Sequence, residues 1–162
     1  MDSELYRLAV EAGRALKAKG WMLVTAESCT GGWVAEAVTM VPGSSEWFER
    51  GFITYTDLAK QQMLGVQTAT LQAHGAVSEP TVREMVAGAL ARSPGHVALA
   101  VSGVAGPSGG TPAKPVGMVC LGWGLRGREP ICVTRHFPGD REAVRRLAVM
   151  AALEGLIEAL AF

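Results

Sequence analysis

The sequence predicts an α/β fold, a three-layer α/β/α sandwich around a mixed, mostly parallel sheet. Three observations carry that expectation. Strand-like and helix-like segments alternate from the N-terminus to residue 101. Val97–Val101 is apolar at every position, the pattern of a strand covered on both faces. Two apolar segments, Val116–Trp123 and Ile131–Phe137, flank the turn-rich stretch Gly124–Pro130 and read as an antiparallel hairpin late in the chain.

Each element has a local cause. Leu5, Leu8, Ala9, Ala12 and Leu16 share one face, so residues 4–18 read as a helix capped by Asp2 or Ser3 and stopped at Gly20. Trp21–Thr25 is a short apolar run and reads as a buried strand, and Gly31–Met40 returns to helical spacing. Gly51–Tyr55 is the next strand candidate, followed by a short helix from Asp57 to Leu64. Leu71–Val77 reads as a loop. Ser78 is a good N-cap with Pro80 in the first turn, and Val82, Met85, Val86, Ala89 and Leu90 give the helix after it an apolar stripe. Asp140 caps a long final helix carrying Val144, Leu147, Ala148 and Ala151. Residues 1–162 show no repeat, linker or composition break and read as one domain.

The bulk numbers exclude several function classes. At 162 residues with 49% hydrophobic and 19% charged side chains, the chain has enough apolar material for a core. Fifteen bases balance 15 acids, so it lacks the positive field of nucleic-acid or anionic-membrane binders. No signal peptide or 18-residue apolar run is present. Cys29, Cys120 and Cys132 are three in number and lack metal-site spacing, which suits reduced thiols in the cytoplasm, and His74, His96 and His136 show no ligand spacing.

Three segments stand out chemically. Thr25–Gly32 joins a strand to a helix and carries Ser28, Cys29 and Thr30 before Gly31 and Gly32; free N–H groups at such a helix start can hold an oxyanion. A cap role for Ser28 or Thr30 is the competing reading. A cysteine nucleophile normally needs a neighbouring histidine or cation, and no histidine is local. In the second segment, Tyr55–Lys60, a lysine in a helix's first turn opposes the helix dipole; dipole and burial both lower its pKa, and a neutral lysine can deprotonate a serine. The third, Gly103–Pro115, is rich in Gly and Pro and suits close backbone contact with an anion, although it lacks the G-K-[ST] ending of a Walker A loop. Arg141 and Arg145 lie four apart early in the last helix, where two cations oppose the dipole and favour an anion-binding role.

Taken together, the motifs resemble those of the CinA C-terminal domain family. They are TAESCTGG at Thr25–Gly32, VPGSS at Val41–Ser45, GFITYTDLAK at Gly51–Lys60, LGV at Leu64–Val66, HGAVSE at His74–Glu79, GVAGPSGGTPAKPVG at Gly103–Gly117 and FPGDR at Phe137–Arg141. They span nearly the whole chain. The resemblance implies hydrolysis of the amide of nicotinamide mononucleotide to nicotinate mononucleotide and ammonia, without metal or cofactor, in a cytoplasmic homodimer. It implies Ser28 as nucleophile, Lys60 as general base and Tyr55 as the residue that orients the pair or relays a proton. Thr30, Gly31 and Gly32 are expected at the oxyanion. Ser102, Gly106, Gly109, Gly110 and Thr111 are expected along the nucleotide, with Arg141 or Arg145 near its phosphate. Two positions depart from the family pattern: Ser102 stands where relatives usually show threonine, and Asp57 where asparagine is frequent, adding a negative charge that raises the pKa of Lys60. The competing readings are a catalytically silent nucleotide-binding or regulatory module of the same fold and a nucleic-acid-associated protein, the latter disfavoured by zero net charge.

Overall fold

A five-stranded sheet in the order β2-β1-β3-β4-β5 forms the centre of the computed structural model, which describes residues 1–161. The strands are β1 (Leu23–Glu27), β2 (Phe48–Ile53), β3 (Val97–Gly103), β4 (Met118–Leu125) and β5 (Ile131–His136). β1 pairs in parallel with β2 and β3, whereas β4 is antiparallel to both β3 and β5. Four strands therefore point one way and β4 alone runs back, so the sheet is mixed with a parallel majority, as expected.

Helices cover both faces. α1 (Ser3–Lys19), α2 (Trp33–Thr39) and α6 (Arg141–Ala159) pack on one side around Leu23, Leu99, Val101 and Leu121. α3 (Asp57–Leu64), α4 (Thr68–His74) and α5 (Glu79–Ala91) pack on the other around Val24, Ala26, Ala98, Ala100 and Cys120. The alternation of β1 and β3 residues between the two cores is the period-2 pleat of buried strands. Asp2 accepts from the Leu5 N–H at 3.2 Å, Ser78 from Thr81 at 3.3 Å and Asp140 from Ala143 at 2.9 Å, so three helix starts follow the cap chemistry of the sequence.

Some boundaries differ from expectation. β1 begins at Leu23 rather than Trp21, because Gly20 in the left-handed conformation and the Trp21 N–H close the end of α1 on Leu16 O. It continues to Glu27 because Thr25 and Glu27, though polar, are fully buried. β2 starts earlier than expected and ends at Ile53, leaving Tyr55 in the connection to α3. Thr68–His74 forms α4, although the stretch from Leu71 to Val77 was expected as loop. The cap of α4 comes from α5, whose Glu84 accepts the Gln67 N–H at 2.8 Å, and a tertiary cap leaves no local signal.

β1 sits between β2 and β3, so connections leave it in opposite directions. In open α/β sheets that switch point, beyond the carboxyl ends of the strands, is where ligands bind. The ends of β1, β2 and β3 and the start of β4 meet there.

Candidate active site

Buried polar groups at the end of β1 build the site. Glu27 is 0% exposed, and its carboxylate accepts three hydrogen bonds: Thr30 Oγ1 at 2.6 Å and Val34 N at 2.8 Å on Oε1, and Ala35 N at 3.0 Å on Oε2. It caps α2 from seven residues upstream and ties the Ser28–Thr30 turn to the helix. Burying a carboxylate is tolerable only with such a donor set. The sequence reading passed over Glu27, although a charge closing an otherwise apolar strand just before a helix is the available signal.

The side chain of Ser28, 7% exposed, lies on the face of the sheet that carries α3. Lys60 reaches it from α3, whose start is set by the Thr56 hydroxyl accepting the Ala59 N–H at 3.1 Å. Lys60 Nζ lies 2.9 Å from Ser28 Oγ, 2.8 Å from Thr54 O and 3.4 Å from Tyr55 O, and the residue is 1% exposed. Burial pushes its pKa below the ordinary lysine value; the carboxylate of Asp57 opposes the shift, as the sequence suggested, but is the smaller influence. Among the described residues no carboxylate is bonded to the amine. Two of its three partners are carbonyls, which only accept. In this geometry Nζ faces three oxygens, and the Ser28 hydroxyl itself lies 3.5 Å from Tyr55 O.

The neighbouring thiol is disfavoured as nucleophile. Burial pushes Cys29 up to about 11, outweighing the nearby Arg145 and Lys60 cations.

A cleft of about 300 Å³ opens above the pair, at the small end for ligand pockets. Ser28, Cys29 and Lys60 form its floor and Ser102 its wall, with Gly106 and Gly109 from the loop after β3. Arg141, in the first turn of α6, bridges the rim: Nη1 donates to Gly106 O at 2.9 Å and Nη2 to Tyr55 Oη at 2.9 Å. Tyr55 thus meets the Ser28–Lys60 pair through its backbone carbonyl, while its hydroxyl faces Arg141. Ala76 and Val77, between α4 and α5, and Ser108 also line the cleft and were missed as site residues. The lining includes two basic side chains, Lys60 and Arg141, and among the described residues no carboxylate.

Other expected residues stand behind the cleft. Thr30 is bonded to Glu27, and Gly31 and Gly32, at φ 60° and 104°, turn the chain into α2. Gly110 and Thr111 brace the loop: a Cβ on Gly110 would sit 2.8 Å from Val116 N, and the Thr111 N–H donates to Lys114 O at 2.9 Å. Lys114 Nζ in turn donates to His74 O, tying this loop to the end of α4. Arg145 donates from Nε to Cys29 O at 3.0 Å and from Nη2 to Thr30 O at 3.3 Å, behind the Ser28–Thr30 turn.

Residues 5–160 match the model of the CinA C-terminal domain. The chain belongs to that family. CinA C-terminal relatives include a nicotinamide-nucleotide amidohydrolase from Escherichia coli K12, 53% identical over 155 residues, covering 96% of this chain and 94% of the relative. A protein of the same name from Pseudomonas putida is 53% identical over 151 residues, covering 93% and 94%. Solved CinA-superfamily structures share the fold. The competence/damage-inducible protein from Agrobacterium tumefaciens superposes with TM-score 0.94 at 44% identity, covering 98% of this chain and 96% of that one. A Klebsiella pneumoniae superfamily protein gives 0.93 at 41% identity, covering 97% and 98%.

Proposed function

We propose that this protein hydrolyses the amide of nicotinamide mononucleotide to nicotinate mononucleotide and ammonia, with Ser28 as nucleophile and Lys60 as its base. The names and high coverage of the relatives support the substrate, and the chemistry rests on one observation: a buried lysine amine 2.9 Å from a serine hydroxyl, its other partners all carbonyls. The amine lone pair takes the hydroxyl proton as Ser28 Oγ attacks the amide carbon. The resulting oxyanion needs backbone donors beside the nucleophile, and the adjacent Cys29 N–H is the candidate. Lys60 then returns the proton to the departing nitrogen, releasing ammonia and leaving an ester on Ser28. A water molecule deprotonated by Lys60 attacks that ester, giving the carboxylate product and restoring the serine.

Arg141 supports recognition of the phosphate. Its hydrogen-bond partners are a carbonyl and a phenol, both uncharged, so its positive charge at the cleft mouth is not neutralised by a bonded acid. We assign Tyr55 to holding Arg141 and closing the rim, with its carbonyl orienting Lys60. The Ser102 hydroxyl and the Gly106–Thr111 loop complete the nucleotide site. The same reading makes residues 1–162 one amidase domain acting in the cytoplasm as a homodimer. Exposed Ile53, Leu58 and Met63 near the cleft support pairing, which sedimentation would test.

The deciding assay incubates purified protein with nicotinamide mononucleotide and measures ammonia and nicotinate mononucleotide. Turnover by wild type that is lost in Ser28→Ala and kept in Cys29→Ala upholds the proposal. Binding without conversion would favour the silent module instead.

A further inference from the structure

Arg141 and Arg145 lie one helical turn apart, yet they meet different parts of the molecule. Arg141 lines the cleft, and Arg145 does not. The Arg145 guanidinium is committed three ways: Nε to Cys29 O, Nη2 to Thr30 O, and its carbon 5.5 Å over the Trp33 ring. Two of its nitrogens are occupied by backbone carbonyls, which leaves little of the fork to clasp a phosphate.

The two carbonyls belong to the residues immediately after the nucleophile. From the other end, Glu27 holds the same turn through Thr30 Oγ1 and the first N–H groups of α2. Within the turn, the Gly31 N–H donates to Ser28 O at 3.0 Å. The segment is thus held by an anionic side chain on its Thr30 hydroxyl and by a cationic one on its Cys29 and Thr30 carbonyls. The Cys29–Thr30 peptide is trans, so fixing the Cys29 carbonyl toward α6 turns the Thr30 N–H away from α6.

We propose that Arg145 is a positioning residue: it anchors the Cys29–Thr30 backbone to α6, so that the turn after Ser28 keeps its shape and Ser28 Oγ stays on Lys60. This rests on the amidase reading for its kinetic consequence, but the anchoring itself is a property of the resting protein. Lysine cannot replace it, since a single ammonium does not span two carbonyls while stacking on an indole.

The test uses Arg145→Met and Arg145→Lys in the full chain, each checked by circular dichroism and melting temperature. The first measurement is kinetic, on nicotinamide mononucleotide and on its phosphate-free nucleoside. A loosened turn lowers kcat roughly 10–100-fold with KM within threefold, by the same factor on both substrates. A raised KM whose penalty disappears on the nucleoside would make Arg145 a phosphate ligand and overturn the inference. The second is the amide NMR spectrum of the free protein. The Cys29 and Thr30 resonances should move or broaden in both variants, with Glu36 and Val38, further along α2, unchanged; unmoved Cys29 and Thr30 signals refute the anchor even if wild type proves inactive. Wild-type inactivity with moved signals refutes the amidase reading alone.

Discussion

The floor and the rim of the cleft use similar residue types under opposite physical conditions. On the floor, Lys60 is 1% exposed and Ser28 lies against it; at the rim, Tyr55 is 58% exposed and Arg141 reaches over it. A lysine on the floor loses its hydration and, with it, part of its hold on a proton, which suits it to the role of base proposed for it. An arginine at the rim keeps its charge whatever its surroundings, which makes it a clasp for an anion. Burial separates chemistry from recognition, and it does so within one pocket.

The largest expected effect comes from breaking the floor. Ser28→Ala and Lys60→Met should each lower kcat at least 10³-fold, with binding of nicotinamide mononucleotide by calorimetry within a few fold of wild type. Comparable losses in the single and double variants would show that the two act as one unit. Breaking the rim should look different. Arg141→Gln should raise KM about 10–100-fold with a smaller change in kcat, and Tyr55→Phe should reproduce a fraction of that.

The pH profile sharpens the contrast further. The reaction needs the free amine, so kcat/KM rises with pH through the pKa of Lys60, and burial places that limb below the ordinary lysine range. The Asp57 carboxylate favours the protonated amine; Asp57→Asn should therefore move the limb to lower pH, and an unmoved or raised limb would refute Lys60 as the titrating base. The smallest effect is expected at Cys29. With Ser28 as the proposed nucleophile the Cys29 thiol, pushed up by burial, has no assigned part, so Cys29→Ala should keep kcat within about threefold and cost on the order of 1 kcal/mol in urea unfolding.

What the sequence disclosed follows from how local each cause is. The caps at Ser78 and Asp140, the apolar run of β3 and the late hairpin are written within a few residues of where they act, and all were legible. Ser28, Lys60 and Arg141 were legible as motif members, and their meeting in one cleft follows from β1, β2 and β3 ending together. Glu27 stayed hidden because its donors lie three to eight residues on and its burial depends on α2 folding back over the sheet. The helix α4 stayed hidden because its cap is Glu84, seventeen residues from the N–H it accepts. Arg145 was legible as an unusual cation; the carbonyls it serves lie more than a hundred residues away in the chain and no spacing rule connects them.

The reversal of β4 also has a bearing on how such a protein can diversify. Because β4 runs back beside β3, the segment between them leaves and re-enters the sheet at the same pole, without a crossover helix to span the domain. Residues added or removed between Gly109 and Lys114 would then reshape the loop that borders the cleft at Gly106 and Gly109 while the sheet register, the helices and the Ser28–Lys60 contact stay as they are. The fold offers evolution, or an engineer seeking a different nucleotide amide, one stretch of chain whose length can change independently of the catalytic groups beneath it.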